Sequence, residues 1–152
     1  MRSIIVMMLA GVFFYCILSP FCAAMEHRDF QNSLMAKDIK TAHMHIMNAI
    51  RLDPQNSLFN FEAANLYTNM NKFYIAQEYI DQAIVNPNGD LVPWGTLLVS
   101  GRLKMRLGNM YGAKYDFSKA IRQYPYATEA KRDLVMVNQI IAQGSLMIKY
   151  DK

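Results

Sequence analysis

Apolar residues follow two regimes along this chain. Residues 4 to 18, "IIVMMLAGVFFYCIL", form one uncharged, almost wholly apolar run. Further on, the pattern becomes periodic. The segments "DIKTAHMHIMNAIRLDP", "KFYIAQEYIDQAIVNP" and "NMYGAKYDFSKAIRQYP" each place an alanine, a large apolar residue four positions on and a second alanine three further. The triplets are Ala42/Ile46/Ala49, Ala76/Ile80/Ala83 and Ala113/Phe117/Ala120. Spacing of i, i+4 and i+7 puts three residues on one stripe of an α-helix. Alanine at two of the three lets a second helix come close, and a proline shortly afterwards ends each helix. Upstream of each stripe lies another apolar helix, clearest in "LFNFEAANLYTNM" and "WGTLLVSGRLKMRL", with Asn71-Lys72 and Gly108-Asn109 as the turns within each pair.

The unit is thus helix–turn–helix, and it recurs. Ala42 to Ala76 is 34 residues and Ala76 to Ala113 is 37, the extra length falling in the loop "NPNGDLVP". A fixed period of this length marks a repeat architecture. The tail "TEAKRDLVMVNQIIAQG" reads as one more helix, with Leu134, Val137 and Ile141 on one face, Thr128 as its cap and Gly144 as its stop. Such a helix would cover the last exposed face of a stack.

These residues resemble the tetratricopeptide-repeat (TPR) family. The likeness rests on the three Ala/large/Ala triplets and on Ile39, Phe73 and Met110 at the starts of the second helices. Pro54, Pro125, the small pairs Ala63-Ala64 and Ser100-Gly101, and Tyr67 add to it. It spans residues 25–126, in units of about 25–56, 57–90 and 94–127, before a capping helix at 127–144 and a tail at 145–152. The resemblance implies an all-α fold of about three helix–turn–helix units in a short right-handed solenoid. The first unit matches least well. Asp29 and Phe30 stand where small residues belong, so its first helix is expected to be shortened or bent. Pro87 sits one residue early, so the exit turn of the second unit departs from the pattern. Three repeats lie near the minimum for independent stability, so an oligomer or a tight partner could complete the stack.

The apolar N-terminal run changes where this solenoid would work. Arg2 precedes it, Ser19-Pro20 breaks it, and "FCAA" supplies small residues ahead of Met25. That order describes a secretory signal peptide over residues 1–24, cleaved after Ala24. The protein is then exported and periplasmic or envelope-associated. Retention of the segment as an inner-membrane anchor is the alternative, and lipid attachment at Cys22 a third reading. Cys16 and Cys22 are the only cysteines, so a chain starting at Met25 has no disulfide framework, thiolate metal site or cysteine nucleophile.

Charge divides the molecule. Residues 25–90 carry five basic and eight acidic groups, a net of −3, whereas residues 102–132 carry eight and two, a net of +6. The basic half calls for an anionic partner or is a solvated face. Nucleic acid is not expected. Tyr111, Tyr115, Tyr124 and Tyr126 interleave with Lys114, Lys119 and Arg122, but helix spacing assigns most of them to packing, and export removes the chain from nucleic acid.

Signatures of catalysis are missing: there is no H-E-x-x-H, G-x-G-x-x-G, P-loop or G-x-S-x-G. The chain reads as a non-enzyme with no cofactor and no metal. His43 and His45 are about 200° apart on a helix and cannot share an ion. His43 and Met47 could meet, and His27 and Met35 could approach, yet two such groups do not complete a copper site.

The remaining candidate is a groove. In the resembled family, the first helices line a concave surface that takes an extended peptide or a partner's helix. Carried over, the groove-facing positions are Phe61, Asn65, Thr68 and Asn69 in the second unit, and Leu98, Arg102, Met105 and Arg106 in the third. Amides would lie beside guanidiniums, a pairing suited to a carboxylate. The reading is a non-catalytic scaffold or adaptor of the cell envelope, serving pilus, secretion or envelope-complex assembly. Its partner would be a protein or peptide segment with acidic or C-terminal carboxylate character, and membrane contact would come only through an uncleaved leader. The alternative is a periplasmic chaperone-like protein for a single client, with copper handling behind both.

Overall fold

The computed structural model describes residues 2–86 and 93–150, and the side chains of residues 18–86 and 93–144. The Ala/large/Ala stripes are where it buries its second helices. Ala42, Ile46, Ala49, Ala76, Ile80, Ala113, Phe117 and Ala120 have no exposed surface, and Ala83 almost none. Each buried isoleucine or phenylalanine contributes about 1.5–3 kcal/mol. Seven α-helices and no strand occur among the described residues: α1 (Arg2–Met35), α2 (Ile39–Leu52), α3 (Ser57–Asn69), α4 (Phe73–Val85), α5 (Pro93–Arg106), α6 (Met110–Gln123) and α7 (Thr128–Tyr150). They pair as α1/α2, α3/α4 and α5/α6, and each pair packs on the next. Three core clusters follow this order: one among α1, α2 and α3, one among α3, α4 and α5, and one among α5, α6 and α7. This is an all-α solenoid of three helix–turn–helix units followed by a terminal helix.

The turns inside the pairs share one geometry. Lys37, Asn71 and Gly108 adopt left-handed φ of 59°, 58° and 79°. The next residue donates its N–H back to Ser33, Tyr67 or Lys104, at 2.9, 2.9 and 2.8 Å. These six-residue closures satisfy carbonyls that the helix end would leave bare. Two of the second helices then start on side-chain caps: Asp38 accepts from the Thr41 N–H before α2 and Asn109 from the Gly112 N–H before α6, whereas Lys72 before α4 makes no such bond. Between units, Pro54 and Pro125 each follow the first residue of a turn closed by Asn56 N–H to Asp53 or Ala127 N–H to Tyr124, where proline's fixed φ fits. Pro87 and the loop around it lie outside the described residues.

Three expectations about helix ends need correction. The first helix of unit 1 is not shortened: α1 is 34 residues long and passes through Pro20. An interior proline costs about 3 kcal/mol, but contacts on both sides of it hold the helix. The Ser19 hydroxyl donates to the Leu52 carbonyl at 2.6 Å, and Ala23, 1% exposed, belongs to the first core cluster. Phe30 is buried in the same cluster, where Ala42, Ala49 and Ala63 leave room for its ring. At the other end, α7 continues through Gly144 to Tyr150, since one interior glycine costs only about 1 kcal/mol. Thr128 is the first residue within α7, and the buried Ala127 occupies the cap position, its carbonyl accepting from the Lys131 N–H.

Among the residues whose side chains are described, no helix is long and apolar enough to cross a membrane. The apolar run of residues 4–18 falls almost wholly outside them.

Candidate binding groove

Side chains on one face of α1, α3, α5 and α7, the first helix of every unit and the terminal helix, line three adjoining clefts. A cleft of about 140 Å³ lies between α1 and α3, bordered by Gln31, Leu34, Glu62, Asn65 and Asn69. One of about 250 Å³ lies between α3 and α5, with Asn65, Thr68, Val99, Arg102 and Arg106. The largest, about 620 Å³, lies between α5 and α7, where Arg102, Met105 and Arg106 face Arg132, Asp133, Met136 and Ile140. Asn65 borders the first two clefts, and Arg102 and Arg106 the last two, so the three form one continuous groove.

Six of the eight carried-over positions therefore meet along this groove: Asn65, Thr68, Asn69, Arg102, Met105 and Arg106. Two do not. Leu98 is 4% exposed and belongs to the α5–α7 core, and Phe61 is half-buried against the cluster shared by α3, α4 and α5. Thr68 turns its hydroxyl to the Ala64 carbonyl, 2.7 Å away, which leaves its methyl to line the wall.

The electrostatics of the groove come largely from residues the sequence pattern did not single out. At the α1 end, Glu62 is held by His27 at 2.6 Å and by the amide of Gln31. Burial pushes the Glu62 carboxyl above its ordinary range, while His27 and Gln31 pull the other way. At the α7 end, the Nε of Arg102 donates to the nearly buried Asp133 at 2.6 Å, and Glu129 stands 3.7 Å from the same guanidinium. Arg102 is thus tied to α7, and Arg132 shares the same carboxylate at 3.4 Å. Arg106 differs: it is exposed, its guanidinium lies 5.8 Å from the centre of the Phe73 ring, and no described carboxylate pairs with it. One end of the groove is acidic and hydrogen-bonded. The middle offers amides and a free guanidinium. The far end has a methionine-rich wall of Met105, Met110 and Met136.

The histidines have separate partners. His43 meets the Tyr67 hydroxyl at 2.8 Å and His45 meets Glu26 at 2.7 Å. Among the described residues, no three His, Cys, Asp or Glu side chains gather as a metal site. The buried Asp116 accepts from Ser100 at 2.7 Å and from Lys104 at 2.6 Å, tying α5 to α6 behind the groove. The tyrosines assigned to packing are a further correction. Tyr111 and Tyr115 are 74% and 60% exposed, because Ala113, Asp116, Phe117 and Ala120 form the buried face of α6, whereas Tyr124, 41% exposed, does stack on Trp94.

No family model and no curated protein matches this chain. Solved structures do. The N-terminal domain of stress-induced protein-1 from C. elegans is similar with a TM-score of 0.70 and 19% identity, over 79% of this chain and 97% of that one. The first TPR of Spaghetti (RPAP3), bound to the HSP90 peptide SRMEEVD, has a TM-score of 0.73 and 18% identity over 81% and 95%. The second TPR domain of human RPAP3, in complex with the HSP70 peptide SGPTIEEVD, has a TM-score of 0.68 and 20% identity over 81% and 98%. Identity at this level carries the fold alone, and the fold it carries is that of a tetratricopeptide-repeat domain.

Proposed function

We propose that this chain is a non-catalytic scaffold that holds an extended segment of a partner protein in the groove of α1, α3, α5 and α7. The carrying observation is the continuity of the three clefts, which share Asn65, Arg102 and Arg106. A carboxylate of the segment pairs with Arg106, the free guanidinium, with Asn65 beside it. Apolar side chains of the segment lie against Met105, Met110 and Met136, whose flexible thioethers adapt to varied shapes. Glu62 at the α1 end disfavours a second carboxylate there, so the segment is acidic at one end only. Two structural neighbours are solved with acidic peptides, SRMEEVD and SGPTIEEVD, which supports a peptide as the ligand class. The N-terminal apolar run supports work at the cell envelope, in assembling pilus, secretion or other envelope complexes. The methionine wall favours one second reading, a chaperone-like protein that shields a single client.

The test is affinity capture from envelope extracts with the full chain as bait, beside an Arg106→Glu bait. Arg106 is the better site to reverse, because Arg102→Glu would leave the buried Asp133 facing a like charge. A protein retained by the first bait and lost from the second supports the groove. The same proteins on both baits would refute it. A captured protein that aggregates when purified alone would select the chaperone reading.

A further inference from the structure

The first repeat is joined to something the other repeats lack. α2 ends at Leu52, whose carbonyl accepts from the Ser19 hydroxyl. Because α1 and α2 run antiparallel, the end of α2 marks the level of Ser19, and the α1 backbone over residues 2–18 continues past it. At 1.5 Å per residue that projection is about 25 Å long. In sequence, residues 4–18 of the projection carry no charge, and Arg2 stands ahead of them. The hydrocarbon layer of a bilayer is about 30 Å thick. The helix that projects is also the helix that builds unit 1. Cleavage after Ala24 would remove Ser19 and the 1%-exposed Ala23 from the repeat they complete.

A second observation concerns the same edge of the solenoid. Where α1 leaves the repeats, α2, α4 and α6 end and α3, α5 and α7 begin. On this edge Trp94, at the start of α5, stacks on Tyr124 with ring centres 5.1 Å apart, and Tyr126 meets Tyr124 edge-on at 5.8 Å. Tyr126 is 78% exposed, and Val85, at the end of α4, is 72% exposed. Arg122 and Lys131 are exposed in the flanking turns of α6 and α7. Tryptophan and tyrosine favour the headgroup layer, where an apolar ring body and a polar tip are both satisfied. Basic side chains near that layer attract anionic lipid. The groove uses the sides of the first helices rather than their ends, so both surfaces can be occupied together.

We propose that α1 is retained and enters the membrane, and that the Trp94–Tyr124–Tyr126 edge rests in the lipid headgroups, holding the groove at a set height above the bilayer. This concerns where the chain sits and does not depend on what the groove binds.

Trp94 is the single tryptophan of the chain, so its fluorescence reports on this edge without labelling. Full-length protein is reconstituted into phosphatidylcholine/phosphatidylglycerol vesicles that carry a spin label either on the headgroup or deep in the acyl chain. The expected result is a loss of Trp94 emission of about twofold with the headgroup label and a much smaller loss with the deep one, the signature of an interfacial ring. Emission unchanged by either label would overturn the proposal, because the edge then faces water or protein. The intact mass of the chain purified from cells is the second readout. It should include residues 1–24, and a chain beginning at Met25 would overturn retention. Peptide binding by the groove is measured separately, so a failure of either idea is distinguishable from a failure of the other.

Discussion

Gly101→Ala gives a direct test of the packing within unit 3, because two effects of opposite sign compete. Gly101 lies inside α5, where alanine favours the helix by about 1 kcal/mol over glycine. On propensity alone the variant should be more stable. But a Cβ at Gly101 would fall 2.5 Å from Cε1 of Phe117 and 2.8 Å from Cδ1 and Cζ. Carbon atoms pack best at about 3.5–4.0 Å, so the overlap is about 1 Å against a ring with no exposed surface and nowhere to swing. Overpacking costs about 1–3 kcal/mol, and an overlap this deep against an immobile ring falls in the upper part of that range, about 2–3 kcal/mol. The clash wins, and a net loss of about 1–2 kcal/mol is expected, seen as a fall of about 3–8 °C in Tm for a domain of this size. Urea unfolding followed by helical circular dichroism measures it, with an unchanged slope showing that stability alone has moved. The control is Phe117→Leu, which removes the ring atoms in question. In that background Gly101→Ala should become neutral or stabilising, a coupling of about 1–3 kcal/mol between contacting residues. A Gly101→Ala single variant as stable as the parent would refute the close α5/α6 approach and the register that rests on it.

Other outcomes follow from the same structure. Ala76→Trp and Ala113→Trp, each at a wholly buried position, should abolish cooperative unfolding, and unchanged thermal melts would sink the alanine stripes as packing seams. Lys37→Gly should raise stability by up to about 1 kcal/mol, because Lys37 holds the left-handed φ of 59° that Gly108 supplies at no steric cost in the third unit. The raised pKa of Glu62 means its burial favours the protonated fold, so this contribution is present below the ordinary glutamate value of 4.5 and lost as pH rises through the folded pKa. Glu62→Gln should therefore be more stable than the parent near pH 7, with the advantage shrinking toward about pH 4 in paired urea titrations. An advantage that stays constant would show that burial does not govern this carboxyl.

The repeats were legible because their signals are local. Ile39, Phe73 and Met110 begin α2, α4 and α6 as the pattern indicated, and each alanine stripe is buried. A stripe at helical spacing, a turn and a proline all act within one unit, so sequence alone suffices to place them. The helix ends that sequence misjudged depend on contacts between units or far along the chain. Pro20 looks like a break until Leu52, 33 residues away, supplies an acceptor for Ser19. Phe30 looks too large until Ala42, Ala49 and Ala63 are seen around it. Lys37 gave no turn signal, because a left-handed lysine is held there by the closure from Asp38 to Ser33 rather than by its own preference.

The groove shows why a face can be read from sequence while its charge cannot. Period placed Asn65, Arg102 and Arg106 on helix faces that do meet, because the angle per residue is the same in every helix. Whether a guanidinium on such a face is available depends on the helix opposite. α7 reads as a cap by its apolar stripe, yet its other face brings Glu129 and Asp133 to Arg102 and leaves Arg106 unpaired. Two arginines four residues apart, equivalent in sequence, thus become a structural tie and a free ligand for an anion. The net charge of +6 over residues 102–132 overstates what the groove offers, since Asp133, just beyond that range, ties up Arg102 and also pairs with Arg132. An acidic segment of a partner would therefore be read chiefly at Arg106, and reversing that one charge should weaken its capture while leaving the Arg102–Asp133 tie, and with it the α5/α7 packing, intact.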